Sequence, residues 1–139
     1  MTVDDAKAQQ PSPFLKWAGG KRWLLDRLLP LIDGISGTYF EPFLGAGAVL
    51  LSLSPRISKV GADTNSQLID TWTAIRDELP NVLEILKTFE NNRDAYYEIR
   101  AWDRDPEAFN EIPRAHRAAR LLYLNKTCFN GLYLSLIHI

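Results

Sequence analysis

The spacing of apolar positions changes along the chain and predicts two structurally different parts. In the first part, five apolar residues recur at helical spacing, which predicts a helix with one buried face. These residues are Leu24, Leu25, Leu28, Leu29 and Ile32. Two short β-rich runs follow at 38–40 and 57–62, with the apolar run 48–51 between them. This strand–helix–strand order predicts a right-handed crossover between two parallel strands.

The second part, residues 65–125, carries no strand pattern and is predicted to be helical throughout. Apolar residues over 68–75 mark a first helix, and Pro80 suits the first turn of a second. A third helix is expected over 94–102, and Pro113 opens a fourth that runs to the end of this part. The order of elements therefore predicts an α/β beginning followed by a helical block.

Composition narrows the class of protein without identifying it. The 139 residues suffice for one domain, and the 46% apolar fraction suffices for a buried core. With a net charge of −1, any nucleic-acid surface must come from local clusters of basic residues. Cys128 stands alone, which excludes an intrachain disulfide and favours a cytoplasmic protein without a zinc site. Residues 1–12 predict a disordered polar tail, and no apolar run approaches membrane-spanning length.

A Gly-x-Gly turn between the first strand and the next helix is a candidate ligand site. Gly45 and Gly47 would let a ligand approach the unpaired N–H groups of the helix N-terminus. The dinucleotide fingerprint needs a third small residue where Leu50 stands, which argues against a bound pyrophosphate. Asp63 ends the second strand, where a carboxylate can accept hydrogen bonds from ribose hydroxyls. These features favour a nucleoside ligand such as S-adenosylmethionine (SAM); alternatively, Asp63 caps a helix that begins near Asn65.

A second glycine turn, Gly19-Gly20-Lys21, precedes the first predicted helix. A phosphate-binding loop would need glycine at Leu15 and serine or threonine at Arg22, so that function is disfavoured. Taken alone, the turn would be a surface feature with a solvated Lys21 and a core Trp17.

Four stretches occur in a characteristic order over residues 14–133. They are FLKWAGGK (14–21), EPFLGAG (41–47), ADTN (62–65) and LLYLNKTCFNGLY (121–133). Together they make the chain resemble the Dam-like family of adenine-specific DNA methyltransferases, and four ordered matches are more specific than one motif.

The resemblance implies a partial SAM-dependent methyltransferase (Rossmann-like) parallel sheet followed by a helical target-recognition domain. We expect the methyltransferase part over 13–66 and an incomplete recognition domain over 67–133. Residues 134–139 are apolar where related sequences continue with polar residues, which predicts an aberrant or truncated tail. We expect a monomer that acts on double-stranded DNA and binds no metal or membrane.

The resemblance also implies the roles of individual residues. The residues that match cofactor positions are Trp17, Lys21, Phe43, Gly45, Gly47 and Asp63. The residues that match DNA-contacting positions are Lys16, Lys126, Phe129 and Asn130. Related enzymes often carry tyrosine at the position that Phe129 occupies here. The ring of Phe129 could stack on a base or simply be buried in the core.

Three arginines at intervals of three, Arg114, Arg117 and Arg120, predict a basic stripe that neutralises DNA phosphates. Alternatively, they form a solvated face or pair with nearby acids. These acids are Asp94, Glu98, Asp103, Asp105, Glu107 and Glu111.

The activity implied is methyl transfer from SAM to the amino group of adenine, which must be flipped out of the duplex. The family performs it with an Asp-Pro-Pro-Tyr segment, and the one Asp-Pro in this sequence, Asp105-Pro106, continues with Glu107-Ala108. We therefore expect a fragment that is inactive alone. Two alternatives stay open: a stand-alone DNA-binding module, and a SAM-dependent methyltransferase with another substrate.

Overall fold

The structure is a computed structural model that describes residues 11–32, 34 and 36–128. It divides into two compact units, Met1–Thr64 and Asn65–Ile139. In the described residues, helices combine with one small parallel sheet, which is compatible with part of a methyltransferase fold. No helix among these residues is both long and apolar enough to cross a bilayer.

The first unit contains the predicted strand–helix–strand crossover. Its elements are a 3₁₀ turn (Arg22–Leu24), α1 (Leu25–Ile32), β1 (Thr38–Glu41), α2 (Ala48–Ser52) and β2 (Ser58–Gly61). β1 and β2 pair in parallel, with Phe40 opposite Val60 and Glu41 opposite Gly61. The parallel pairing predicted from the alternation of strand and helix patterns is thereby confirmed, and the right-handed sense of the crossover stays a prediction.

Sequence periodicity correctly predicts which side of the 3₁₀ turn and α1 is covered. The five apolar residues of the predicted stripe are all partly buried, whereas Asp26 and Arg27 are exposed. In the sheet, Phe40 and Val60 are cross-strand partners on the same face. Phe40 is 66% exposed and Val60 is 45% exposed. Glu41 alternates to the opposite face and is 4% exposed, because successive strand residues point to opposite sides.

The second unit is helical over its described residues, as the sequence predicts. Its elements are α3 (Ser66–Asp77), α4 (Leu79–Thr88), α5 (Arg93–Arg100), a 3₁₀ turn (Ala101–Arg104), α6 (Pro106–Glu111) and α7 (Arg114–Thr127). Residues 118–125 of α7 are all buried, so this helix runs through the centre of the unit. Leu68 of α3 and Val82 of α4 are fully buried in the same core.

The structure corrects the expected third helix and adds a helix that the pattern does not predict. The helix expected over 94–102 is α5, which ends at Arg100 and passes into the 3₁₀ turn. The additional helix is α6, where the Asp105 side chain accepts hydrogen bonds from the N–H groups of Glu107 (3.0 Å) and Ala108 (3.1 Å). With six residues, α6 is too short for apolar periodicity to reveal it.

Candidate functional site

The glycine turn that joins β1 to α2 forms the centre of the candidate site. Gly45 and Gly47 both adopt left-handed backbone conformations, with φ of +52° and +67°. Gly47 precedes the first turn of α2, and its N–H donates to the carbonyl of Leu44 over 2.9 Å. A side chain at Gly45 or Gly47 would strain the backbone, so this path favours glycine.

Trp17 lies against this turn. A Cβ atom placed on Gly45 would stand 3.2 Å from Cδ1 of the Trp17 ring. That distance is shorter than the optimal carbon–carbon separation of about 3.5–4.0 Å, so the approach leaves no ordinary room for a side chain. The two glycine-containing motifs, at 14–21 and 41–47, are distant in the sequence and meet where Trp17 contacts Gly45.

Asp63 joins the turn from the end of β2. Its Oδ2 accepts a hydrogen bond from the N–H of Gly45 over 2.9 Å. The alternative in which Asp63 caps the next helix is wrong, because Asn65 is the N-cap of α3. The Asn65 side chain accepts from the N–H of Leu68 over 3.0 Å. Asp63, whose carboxylate the sequence predicts to bind ribose hydroxyls, thus lies directly beside the glycine turn.

Lys21 also points toward the glycine turn. Its Nζ donates a hydrogen bond to the carbonyl of Phe43 and lies 3.1 Å from Oε1 of Glu41. The interpretation of Lys21 as a merely solvated surface residue is therefore wrong, although 31% of its side chain is exposed. Lys21 ties the Gly-Gly-Lys turn to the segment that leads into the glycine turn.

Glu41 is a member of this cluster that the sequence did not single out. Its Oε2 accepts a hydrogen bond from the N–H of Leu50 over 3.1 Å. Its Oε1 is buried and makes no aligned hydrogen bond, so its contact with Lys21 is that of an ion pair. Burial raises the pKa of the Tyr39 hydroxyl, and the charge of Glu41 raises it further. The available sequence signal was an acidic residue at the strand end, immediately before Pro-Phe-x-Gly-x-Gly.

The predicted DNA-contacting residues are only partly covered by the structure. Lys16 is exposed in the first unit, and Lys126 is exposed in the last turn of α7. Phe129 and Asn130 lie outside the described residues. Their proposed contacts with DNA therefore stay predictions.

The interpretation of the three arginines of α7 as a DNA-facing stripe is wrong. Arg120 is fully buried, and its guanidinium donates to the carbonyls of Ile99 (2.9 Å) and Arg100 (2.8 Å). It also forms an ion pair of 2.8 Å with Asp103 and lies 5.1 Å from the centre of the Phe109 ring. Arg120 therefore holds the 3₁₀ turn and α6 against α7.

The other two arginines pair with acids that the sequence did not suggest. Arg117 binds Asp70 of α3 over 2.6 Å, and Arg114 binds Glu78 at the start of α4 over 2.5 Å. Of the acids proposed as partners from nearby sequence, Asp103 is confirmed. All three arginines thus fix the packing of the helical unit through ion pairs with acids of the same unit.

No group of three or more His, Cys, Asp or Glu side chains in the described part of the chain is arranged to hold a metal ion.

Known proteins match most of this sequence. Residues 17–136 match the family described as D12 class N6 adenine-specific DNA methyltransferase. The chain is 37% identical over 123 residues to the type II methyltransferase M1.LlaDCHI of Lactococcus lactis subsp. cremoris, covering 87% of this chain and 43% of that protein. It is 33% identical over 138 residues to the type II methyltransferase M.MjaIII of Methanocaldococcus jannaschii, covering 87% and 47%. It is 37% identical over 127 residues to the DNA adenine methylase of Serratia marcescens, covering 86% and 43%.

The chain spans less than half the length of these curated relatives. The matched residues include the Trp17–Gly45–Asp63 cluster and the whole of α7. The resemblance drawn from four ordered motifs is confirmed, and the chain belongs to the D12 class N6 adenine-specific DNA methyltransferase family.

Proposed function

We propose that this chain provides the SAM-binding turn and part of the DNA-recognition region of an N6-adenine DNA methyltransferase. The observation that carries the proposal is the contact of Trp17 with Gly45 together with the 2.9 Å hydrogen bond from Gly45 to Asp63. Three separate segments supply these residues, and each segment carries a family motif. These residues meet at the carboxyl ends of two parallel strands, the edge of an α/β sheet where ligands bind.

The residues of the turn fit the chemistry of SAM. Asp63 offers a carboxylate suited to ribose hydroxyls, and Gly45 and Gly47 leave the backbone open to close approach. Trp17 provides an aromatic wall, and Phe43, two residues before Gly45, is 73% exposed. Lys21 supplies a positive charge suited to a carboxylate. When bound, SAM would supply the electrophilic methyl group.

For DNA, we propose contacts by Lys16, Lys126, Phe129 and Asn130. The exposure of Lys16 and Lys126 supports a role in neutralising phosphates, whose strength would fall with added salt. The ring of Phe129 would stack on a base or fill the space left by a flipped adenine. The pairing of the α7 arginines does not favour the alternative of a stand-alone DNA-binding module.

The family chemistry requires acceptors that hold the adenine amino group in line with the methyl donor and compensate its developing positive charge. In related enzymes these acceptors belong to an Asp-Pro-Pro-Tyr segment, which is absent from the 139 residues. We therefore expect the chain as given to bind SAM without transferring its methyl group. Incubation with labelled SAM and a GATC-containing duplex should leave the DNA unlabelled, and clear turnover would contradict this expectation.

Calorimetric titration with SAM tests the binding site. Trp17→Ala should weaken binding at least tenfold, about 1.4 kcal/mol, because the aromatic wall on Gly45 is lost. Trp23→Ala is the matched control, since Trp23 is 75% exposed in the same unit. It should leave the affinity unchanged. Equal losses in the two variants, or no binding by the unmodified chain, would refute the proposed site.

A further inference from the structure

We propose that Glu41 is a positioning residue of the cofactor site, because its single carboxylate holds both Lys21 and the N-terminus of α2. Its effect on SAM binding rests on the proposed function, whereas its effect on the turn does not. Glu41 ends β1 and is 4% exposed. Burying a carboxylate this deeply is costly unless partners compensate its charge, so the contacts of Glu41 are important for the stability of the turn.

One carboxylate oxygen replaces the missing cap of α2. The N-cap of this helix is Gly47, which has no side chain to accept from the first N–H groups. Oε2 of Glu41 accepts from the N–H of Leu50, the third residue of the helix, over 3.1 Å. The positive end of the helix dipole adds to this attraction for a negative charge. Glu41 thereby fixes the end of the turn.

The other carboxylate oxygen fixes the beginning of the turn through Lys21. Oε1 lies 3.1 Å from Nζ of Lys21, and the same ammonium donates to the carbonyl of Phe43. The backbone between Phe43 and α2 is thus held at both ends by Glu41 and its lysine partner. Gly45, which contacts Trp17 and Asp63, lies between these two anchors.

Glutamine cannot replace Glu41 in both contacts, although its shape is almost identical. Its amide has one acceptor oxygen and one donor nitrogen. If the oxygen faces the N–H of Leu50, the amide N–H₂ faces the ammonium of Lys21, and the reverse orientation sets N–H₂ against the Leu50 N–H. The charged ammonium of Lys21 attracts the amide oxygen more strongly than the neutral N–H of Leu50 does. Glu41→Gln therefore keeps its oxygen on Lys21 and breaks the Leu50 anchor of the turn with little change in volume.

The test compares Glu41→Gln with Asp26→Asn in the full 139-residue chain by amide hydrogen exchange and calorimetry. Asp26 is an exposed acid on α1 of the same unit, so its variant makes the same chemical change outside the turn. In Glu41→Gln, exchange at the Leu50 amide should accelerate at least tenfold relative to the β1 amides, and SAM affinity should fall at least tenfold, about 1.4 kcal/mol. Asp26→Asn should change neither quantity.

A double variant separates positioning from general stability. Lys21→Met should weaken SAM binding less in the Glu41→Gln background than in the unmodified chain, because one anchor is already lost. Equal effects in the two backgrounds, or an unchanged Leu50 amide in Glu41→Gln, would overturn the proposal.

If Glu41→Gln does not fold, Lys21→Met alone should shift the Leu50 amide resonance through the released carboxylate, and an unchanged resonance would overturn the role of Glu41. If the unmodified chain binds no SAM, the proposed function fails, while the Leu50 amide still decides whether Glu41 anchors the turn.

Discussion

The contact between Gly45 and Trp17 makes the glycine turn sensitive to a single added methyl group. In Gly45→Ala, the new Cβ would stand 3.2 Å from Cδ1 of Trp17, and the residue would keep a φ of +52°. Gly34→Ala provides a matched control in the same unit. Gly34 has a φ of +80°, and a Cβ there would have no atom within 4 Å. Left-handed backbone strain should lower the stability of both variants, and Gly45→Ala should also displace the Trp17 ring.

The magnitudes of the two effects can be separated. Left-handed backbone costs a residue with a Cβ atom about 1–2 kcal/mol, so Gly34→Ala should lose that amount of unfolding free energy. Forcing an extra methyl group into a packed contact costs about 1–3 kcal/mol more. Gly45→Ala should therefore lose about 2–5 kcal/mol in total. The difference between Gly34→Ala and Gly45→Ala measures the cost of moving Trp17.

The assay is urea unfolding followed through the amide resonances of β1 and α2, so that only the first unit contributes. The indole N–H resonance of Trp17 should shift in Gly45→Ala and stay in place in Gly34→Ala. SAM affinity should fall at least tenfold, about 1.4 kcal/mol, in Gly45→Ala alone. Equal unfolding free energies in the two variants, together with an unmoved Trp17 resonance, would refute the reasoning.

Three further predictions concern the helical unit. Arg120→Met should lower the unfolding free energy of the helical unit by about 3–5 kcal/mol, because Asp103 stays buried after its ion pair with Arg120 is lost. Urea unfolding measures this loss. The exposed control Arg104→Met should change the unfolding free energy by less than about 0.5 kcal/mol. Asn92→Ala should cost about 1 kcal/mol in the same assay through loss of the α5 cap, and no loss would contradict that role. Burial, and secondarily the charge of Tyr96, raises the pKa of Tyr123 above its ordinary value of 10.0, so folding favours the neutral phenol. Stability should fall as the pH rises above 10, and Tyr123→Phe should reduce that fall in unfolding measurements at several pH values.

Much of the candidate site was predictable because its residues sit in motifs whose backbone requirements are local. The sequence indicated Trp17, Gly45 and Asp63 separately, and the structure brings them into contact. Their role in binding SAM stays a prediction. Glu41 was missed because nothing in its neighbourhood shows that the strand turns this carboxylate toward Lys21 and the helix N-terminus.

The sequence by itself determined most of the elements, since apolar periodicity and turn residues report the local demands of a helix, a strand or a cap; the six-residue α6 was missed because it is too short to show a period. It did not determine which way charged residues face. Arg117 reaches Asp70 on another helix, and Arg120 is fully buried against Asp103 and two backbone carbonyls. A basic repeat read along one helix is the same whether its partners are DNA phosphates or acids on neighbouring helices. Only the tertiary packing decides between them, because it places partners that lie far apart in the sequence.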